Sequence, residues 1–206
     1  KGEWEKFVNS LTTNLTSFFR EAHHFDILAE RLKKHAGRNP VRIWCNAAST
    51  GEEPYSLAMT LAETMRDRPW TVHASDLSIR VLDDARAGIY GTQRASEVPA
   101  PLAFKYLLEG IDEYAGQYRI DSELRSRVSF QQINLMQPLP PLEPFDFIFL
   151  RNVLIYFDNA AKQRIVESVA RCLKPDGLLM VGHAETLSGI TTVVESVAPT
   201  VYRLRG

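Results

Sequence analysis

The chain has 206 residues, of which 24 are Lys or Arg and 25 are Asp or Glu, so its formal net charge is −1. Because this charge is close to zero, the sequence lacks the uniform basic field of a non-specific nucleic-acid binder. No apolar run approaches the roughly 18 residues of a membrane span, and the first residues lack a signal-peptide pattern. We therefore expect a cytoplasmic protein with no nucleic-acid partner and no membrane insertion.

The length and the cysteines limit the architecture further. A chain of 206 residues suits one domain with a small appendage better than two equal domains. Cys45 and Cys172 lie far apart in apolar stretches, and neither they nor the histidines show metal-ligand spacing. The sequence therefore predicts free buried thiols, no disulfide and no metal site.

Helix and strand patterns alternate through the first half of the chain. Breakers such as Gly37-Arg-Asn-Pro40 and Gly88 separate the predicted elements. These elements are a helix over 18–34, a strand over 41–46, a helix with an apolar stripe through 57–65, a strand over 71–76 and a helix over 78–87. The order predicts β-α-β-α units.

The second half begins with a different pattern and then returns to alternation. Residues 101–126 read as a small insertion, with a short helix near 102–108 and a hairpin strand at 117–120. Strands follow at 127–133 and 145–150, then a helix from the N-cap Asp158 to residue 173, and strands at 178–181 and 200–204. The nearly continuous apolar run at 145–150 is typical of a strand buried on both faces. We expect an open, mostly parallel α/β sheet that binds its ligand at the carboxyl ends of the strands.

A turn of small residues follows the first strand and opens a helix. Gly51 in this turn can adopt a positive φ and let the backbone approach a ligand. Glu52 and Glu53 fall in the first helical turn, where they would repel a pyrophosphate and favour an ammonium or sulfonium group. This chemistry favours S-adenosylmethionine over NAD. The alternative is that the two carboxylates only complement the helix dipole.

Polar residues also follow the other strands of the predicted sheet. Asp76 ends the second strand, the position of the carboxylate that accepts ribose hydroxyls in nucleoside-binding α/β folds. The alternative is a helix N-cap or turn aspartate. Asn134-Leu135 and Arg151-Asn152 follow two further strands. We expect these strand ends to line one cleft.

Five ordered blocks of the sequence resemble a known family. They are Thr13-Asn-Leu-Thr-Ser-Phe-Phe-Arg-Glu21 and residues 48–59, 74–76, 145–157 and 173–179. Together they resemble the bacterial chemotaxis receptor glutamate methyltransferases. The resemblance implies a Rossmann-like class I S-adenosylmethionine-dependent methyltransferase domain over 13–206, with an antiparallel β-subdomain inserted at 101–126. It also implies that 1–12 are a linker remnant of an absent N-terminal helical domain.

The resemblance implies an activity and its partners. The enzyme would methylate glutamate side chains of chemoreceptor cytoplasmic helices in sensory adaptation, giving γ-methyl esters and S-adenosylhomocysteine. The partner would be the cytoplasmic domain of a methyl-accepting chemoreceptor, with the β-subdomain as a surface for regulatory proteins and the chain as a monomer. Loop 108–116 departs from the Gly- and Pro-containing loop of members that bind a receptor tail peptide, which favours a tether-independent mode.

The family's functional residues can be carried over where the motifs match. Arg20 and Tyr156 match the pair that faces the transferable methyl group, and we expect them to be catalytic. With Gly51 from the turn, the expected cofactor residues are Asn14, Thr16, Arg20, Glu53, Asp76, Asn134, Leu135, Arg151 and Asn152. The alternatives are helix caps for Asn14 and Thr16, a surface charge for Arg20 and a core aromatic for Tyr156.

Three other function classes fit the predicted fold less well. A nicotinamide-dependent oxidoreductase would be expected to carry the G-x-G-x-x-G fingerprint, which the sequence lacks. A nucleic-acid methyltransferase would carry an Asn/Asp-Pro-Pro-aromatic motif, which is also absent. A non-catalytic signalling module that only binds the cofactor is disfavoured by the presence of both Arg20 and Tyr156.

Overall fold

The structure is a computed structural model that describes residues 16–34 and 39–206. The helices are α1 (His23–Lys34), α2 (Glu52–Met65), α3 (Ile79–Ala87), α4 (Thr92–Ala95), α5 (Ala100–Tyr106), α6 (Ser122–Ser126) and α7 (Asn159–Ala170), with 3₁₀ turns at Asp112–Tyr114 and Leu154–Tyr156. The strands are β1 (Val41–Asn46), β2 (Trp70–Asp76), β3 (Ile89–Gly91), β4 (Leu107–Glu109), β5 (Gln117–Ile120), β6 (Val128–Gln132), β7 (Phe145–Leu150), β8 (Leu173–Val181), β9 (Val194–Ala198) and β10 (Val201–Leu204).

The central sheet has seven strands in the order β6-β2-β1-β7-β8-β10-β9. The five strands from β6 to β8 are parallel, whereas β10 runs antiparallel to both β8 and β9. The predicted α/β class with a mostly parallel sheet is therefore confirmed. The carboxyl ends of the five parallel strands meet at one edge, where a ligand cleft is expected.

Two layers of apolar side chains cover the faces of this sheet. Phe147 and Phe149 of β7 pack in the cluster that holds the buried residues of α1 and α2. Ile148 and Leu150 point to the opposite face, where they join the buried side chains of α7. The prediction that this strand is buried on both faces is confirmed. Cys45 is a buried free thiol, but Cys172 is free and only partly buried.

A second, antiparallel sheet has three strands in the order β3-β5-β4. It confirms a small antiparallel subdomain beside the main sheet. Strand β3 lies before residue 101, so this sheet extends beyond the predicted bounds of 101–126. A strand of three residues is too short to show an alternating pattern in the sequence.

None of the described helices is long and apolar enough to span a bilayer.

The predicted helix over 18–34 was wrong in its first turn. Helix α1 begins at His23, and both Phe19 and Glu21 have positive φ angles of 53° and 57°. The Phe18 N–H donates to Glu97 Oε2, and the Phe19 N–H donates to Ser56 Oγ. Long-range acceptors replace the helical carbonyls here, so local sequence could not reveal this turn.

The predicted end of the helix after Asp158 was also wrong. Asp158 caps α7 through the Ala161 N–H, as expected, but α7 ends at Ala170. Residues from Leu173 onward belong to β8, where Leu173 pairs with Phe145 before a shift in register. Pairing with β7 thus overrides the helical pattern. Strand β9 was not predicted.

The turn between β1 and α2 requires glycine at position 51, and a substitution there can test this requirement. Its φ is +99°, and an added Cβ would lie 2.8 Å from Tyr90 Oη and 3.0 Å from Ala85 Cβ. We expect Gly51→Ala to lower the free energy of unfolding by about 3 kcal/mol, the sum of backbone strain and overpacking. Urea denaturation measures this loss.

The matched control for Gly51 is Gly189→Ala. Gly189 also has a positive φ of +74°, but no heavy atom lies within 4 Å of its added Cβ. This control should lose only the backbone strain, about 1 kcal/mol. Equal losses for the two variants would show that the contacts with Tyr90 and Ala85 do not constrain the turn.

Candidate functional site

A cleft of about 420 Å³ opens at the carboxyl ends of β2, β1, β6 and β7. The lining includes most of the residues singled out in the sequence: Thr16, Arg20, Glu53, Asp76, Asn134, Leu135, Arg151, Asn152 and Tyr156. Asn14 lies outside the described residues, and Gly51 is not part of the lining. Tyr156 is half exposed rather than a core aromatic. The parallel sheet thus brings residues distant in sequence into one wall.

The two glutamates of the first α2 turn point in different directions. Glu53 lines the cleft, whereas Glu52 is fully buried outside it. The Glu52 carboxylate accepts hydrogen bonds from Thr50 Oγ1 at 2.7 Å and from Arg94 Nη1 of α4. Burial raises the pKa of Glu52. Glu52 and Glu53 were both expected to act on the ligand, but of the two only Glu53 lines the cleft.

Arg151 joins three elements around the cleft. It follows β7, and its side chain is fully buried. Its Nη1 donates to Glu53 Oε2 at 2.7 Å, and its Nη2 donates to the Arg20 carbonyl and lies 3.2 Å from Glu21 Oε2. Two carboxylates thus surround one guanidinium.

Of the two carboxylates around Arg151, Glu53 is the one that lines the cleft. Burial raises its pKa, and the neighbouring Arg151 opposes that shift. The Cys45 thiol donates to Glu53 Oε1 at 3.3 Å. A cationic ligand in the cleft would favour the ionised carboxylate and would therefore be bound more tightly than a neutral one.

Asp76 braces a turn and also lines the cleft. Its Oδ2 accepts the Ser49 N–H at 2.9 Å, and its Oδ1 accepts the Ser78 N–H at 3.0 Å. Burial raises its pKa. Asp76 is therefore a turn aspartate, as the alternative interpretation held, and it also lies in the cleft as expected. Each carboxylate oxygen can accept more than one hydrogen bond, so the group can also accept from a ligand.

Several buried polar atoms at this edge of the sheet have no hydrogen-bond partner among the described residues. They are Ser49 Oγ, Arg151 Nε and both side-chain polar atoms of Asn46. Ser49 and Arg151 line the cleft. Because buried polar groups are costly when unpaired, these atoms indicate a polar ligand with both donors and acceptors.

Sequence reasoning missed Glu21 and Glu185 as parts of the site. Glu21 Oε1 accepts from Asn152 Nδ2 at 3.2 Å, and Glu21 Oε2 accepts the His183 N–H at 3.0 Å. Burial acts to raise the pKa of Glu21, but Arg151 and these hydrogen bonds lower it overall. Glu185 binds backbone N–H groups after β7. Nothing local in the sequence distinguishes either residue from a surface glutamate.

The cleft residues form no evident metal centre. Within 16–34 and 39–206, no group of three or more His, Cys, Asp or Glu side chains is placed to hold a metal ion.

Comparison with known proteins adds independent information. The family described as "CheR methyltransferase, SAM binding domain" matches residues 14–203. The chain is 46% identical over 205 residues to chemotaxis protein methyltransferase 2 of Pseudomonas aeruginosa, covering 98% of this chain and 73% of that protein. It is 45% identical over 206 residues to the chemotaxis protein methyltransferase of Escherichia coli, covering 98% and 71%. The Salmonella typhimurium protein of that name is 44% identical over 205 residues, with coverage of 98% and 70%.

His24 beneath the Arg151 network should make stability depend on pH. Its ring is buried, with Nε2 2.7 Å from Thr200 Oγ1, and burial together with Arg151 lowers its pKa to about 3. In the unfolded chain the pKa is about 6.5. As pH falls below that value, the unfolded state binds a proton that the folded state excludes. The stabilisation is therefore present above about pH 6.5 and is lost on acidification, by about 2 kcal/mol at pH 5.

The variant His24→Gln isolates this contribution, because glutamine does not titrate. Urea unfolding at pH 7.5 and 5.0 should show a loss about 2 kcal/mol larger in the wild type than in the variant. The neighbouring titratable groups Glu21, His23 and His183 and the charge of Arg151 are common to both proteins. Equal losses would contradict a neutral buried His24.

Proposed function

The chain belongs to the CheR methyltransferase family, and we propose that it methylates glutamate side chains on the cytoplasmic helices of chemoreceptors. Family membership makes it an S-adenosylmethionine-dependent methyltransferase of chemotaxis adaptation. The observation that carries the proposal is the arrangement of Glu53, Arg20 and Tyr156 on one cleft. Glu53 suits a cationic methyl donor, and Arg20 suits an anionic acceptor.

The residues of the cleft fit S-adenosylmethionine. The carboxylate of Glu53 would face its positive charge, Asp76 would accept its ribose hydroxyls, and the unpartnered Ser49 Oγ offers a further polar contact. We assign Asn134 and Leu135 to the adenosine portion and Arg151 and Asn152 to the methionine portion. Thr16, which lines the cleft from the segment before α1, would close over the bound cofactor.

When bound, S-adenosylmethionine supplies the methyl group: the glutamate oxygen forms the new O–C bond, the S–C bond breaks, and its electron pair stays on sulfur. A glutamate side chain has an ordinary pKa near 4.3 and is already ionised at pH 7. The protein therefore needs no general base. It must instead place the glutamate oxygen in line with the methyl carbon and the sulfur, and exclude water. Such placement lowers the activation barrier by roughly 7 to 11 kcal/mol in favourable cases.

Arg20 is suited to place the substrate carboxylate. Its backbone is held because Arg151 donates to its carbonyl and because the neighbouring Phe19 N–H donates to Ser56 Oγ. A guanidinium presents parallel N–H donors that match a carboxylate. The contact must orient the oxygen without stabilising the ground state more than the transition state. Tyr156, half exposed in the same cleft, would face the transferable methyl group.

The antiparallel subdomain is the part of the surface that we assign to protein partners. Five large apolar side chains are exposed there: Ile89, Phe104, Leu108, Ile111 and Tyr114. Exposed apolar clusters commonly mark protein contacts. A role in binding regulatory proteins, the tether-independent mode and the monomeric state stay predictions from the sequence.

Transfer to a carboxylate can be tested directly. The protein is incubated with methyl-labelled S-adenosylmethionine and a receptor cytoplasmic fragment, and the labelled fragment is then treated with alkali. We expect the label to be released as methanol, because a carboxyl methyl ester hydrolyses in base. Alkali-stable label would exclude the ester. Absence of transfer by protein that binds the cofactor in calorimetry would instead support a non-catalytic module.

Arg20→Ala should separate substrate placement from cofactor binding. We expect cofactor affinity within about tenfold of wild type and kcat lower by about 100-fold, because an interaction with the transition state is lost. Arg20→Lys is the matched control, because lysine keeps the positive charge but lacks the parallel N–H donors of the guanidinium. Its kcat should lie between those of the wild type and Arg20→Ala. A calorimetric titration that places the whole defect in cofactor affinity would overturn this role.

A further inference from the structure

Glu185 forms an unusual set of hydrogen bonds beside the cleft. It lies in the turn after β8 and is only 7% exposed. Its Oε2 accepts the N–H groups of Gly182 at 2.6 Å and Asn152 at 2.9 Å. Its Oε1 accepts the N–H groups of Leu154 at 2.7 Å and Ile155 at 3.3 Å. One carboxylate thus binds four backbone donors from the segments after β7 and β8.

The segment that Glu185 holds is part of the cleft wall. Asn152, Val153, Tyr156 and Phe157 all line the cleft. This segment has left the sheet, and Asn152 has a positive φ of 57°. Its own backbone bonds are those of one 3₁₀ turn, Tyr156 N–H to Val153 and Phe157 N–H to Leu154. The buried donors at its start therefore depend on Glu185.

We propose that Glu185 is a positioning residue for methyl transfer, fixing the segment that carries Asn152 and Tyr156. The proposal rests on the function assigned to Tyr156 above. Hydrogen bonds to an ionised carboxylate are stronger than those to a neutral acceptor. They can therefore hold irregular backbone where the ladder of the sheet has ended.

The two oxygens of Glu185 serve the two ends of the segment. Oε2 joins the start of the segment at Asn152 to Gly182, whereas Oε1 holds the turn that leads to Tyr156. Glutamine would replace one acceptor oxygen by an NH₂ donor, which faces two N–H groups unfavourably. Since the Oε2 partners are the closer pair, the amide oxygen takes that place. The turn before Tyr156 is then released.

Gly182 allows the same arrangement to be disturbed from the other side. An added Cβ would lie 2.6 Å from Asn152 Nδ2 and 2.8 Å from Glu185 Oε2. Gly182→Ala keeps the Glu185 carboxylate but forces it and Asn152 to move. A common phenotype of Gly182→Ala and Glu185→Gln would therefore come from the position of the segment rather than from the lost charge.

The first experiment follows Tyr156 without cofactor or receptor. The protein is labelled with 3-fluorotyrosine, and the Tyr156 signal in the ¹⁹F NMR spectrum is assigned by its loss in Tyr156→Phe. We expect that signal to shift or broaden in Glu185→Gln and in Gly182→Ala. It should be unchanged in the matched control Glu52→Gln, which alters another buried carboxylate, bound to Arg94 outside the cleft.

The second experiment separates binding from turnover. In Glu185→Gln we expect cofactor affinity within about threefold of wild type and kcat lower by about tenfold or more, since a misplaced Tyr156 acts on the transition state. Gly182→Ala should show the same loss of kcat, and its cofactor affinity should also fall because the added Cβ moves Asn152. Glu52→Gln should keep the wild-type kcat. If Glu185→Gln does not fold, Gly182→Ala alone decides the question.

The outcomes distinguish this proposal from the proposed function. A wild-type kcat and an unmoved Tyr156 signal in the folded variants would overturn the role of Glu185 while leaving glutamate methylation intact. A loss of kcat or a shift of the Tyr156 signal that also occurs in Glu52→Gln would overturn the role of Glu185 as well. If the wild type does not methylate a receptor fragment but the Tyr156 signal still moves, the positioning contact stands and the assigned reaction fails.

Discussion

The cleft depends on the buried guanidinium of Arg151. A buried cation is stable only when its charge and its N–H groups have partners, and removal of one partner of such a pair commonly costs about 3 to 5 kcal/mol. Here the partners come from two separate elements: Glu53 from α2, and both Glu21 and the carbonyl of Arg20 from the segment before α1. These elements can meet at the strand ends only in an arrangement that satisfies Arg151. The same contact therefore stabilises the fold and sets the geometry of the cleft.

Beyond the ends of the strands, carboxylates accept the hydrogen bonds of backbone N–H groups that no longer have a partner in the sheet. Parallel strands bring their carboxyl ends together, but the segments that follow carry buried N–H groups without ladder partners. Asp76 accepts two of them after β1 and β2, and Glu185 accepts four after β7 and β8. Acidic residues at this edge thus have two uses: they brace irregular backbone and, where they face the cleft, they favour a cationic ligand.

Strong local patterns made part of this structure predictable. The apolar run of β7 and the breakers around α3 defined their elements, and the rule for parallel sheets placed Asp76, Arg151 and Asn152 together. The turn at 18–22 could not be predicted, because its donors bind Glu97 and Ser56, which are distant in sequence. The different directions of the Glu52 and Glu53 side chains could not be predicted for a similar reason. Adjacent helical side chains point about 100° apart, and the face that Glu52 occupies is set by Arg94 of α4.

The antiparallel subdomain and the cleft share the segment that carries Arg20. The Phe18 ring meets Tyr90 edge-on at 4.9 Å, and the Phe18 N–H binds Glu97, which follows α4. Two residues later, the Arg20 carbonyl accepts a hydrogen bond from Arg151, which directly follows β7 of the main sheet. Since a glutamate nucleophile needs no general base, the main demand on the protein is accurate placement of the two reactants. A segment that contacts both the antiparallel subdomain and the end of β7 meets that demand, because it fixes the backbone from which the Arg20 side chain extends.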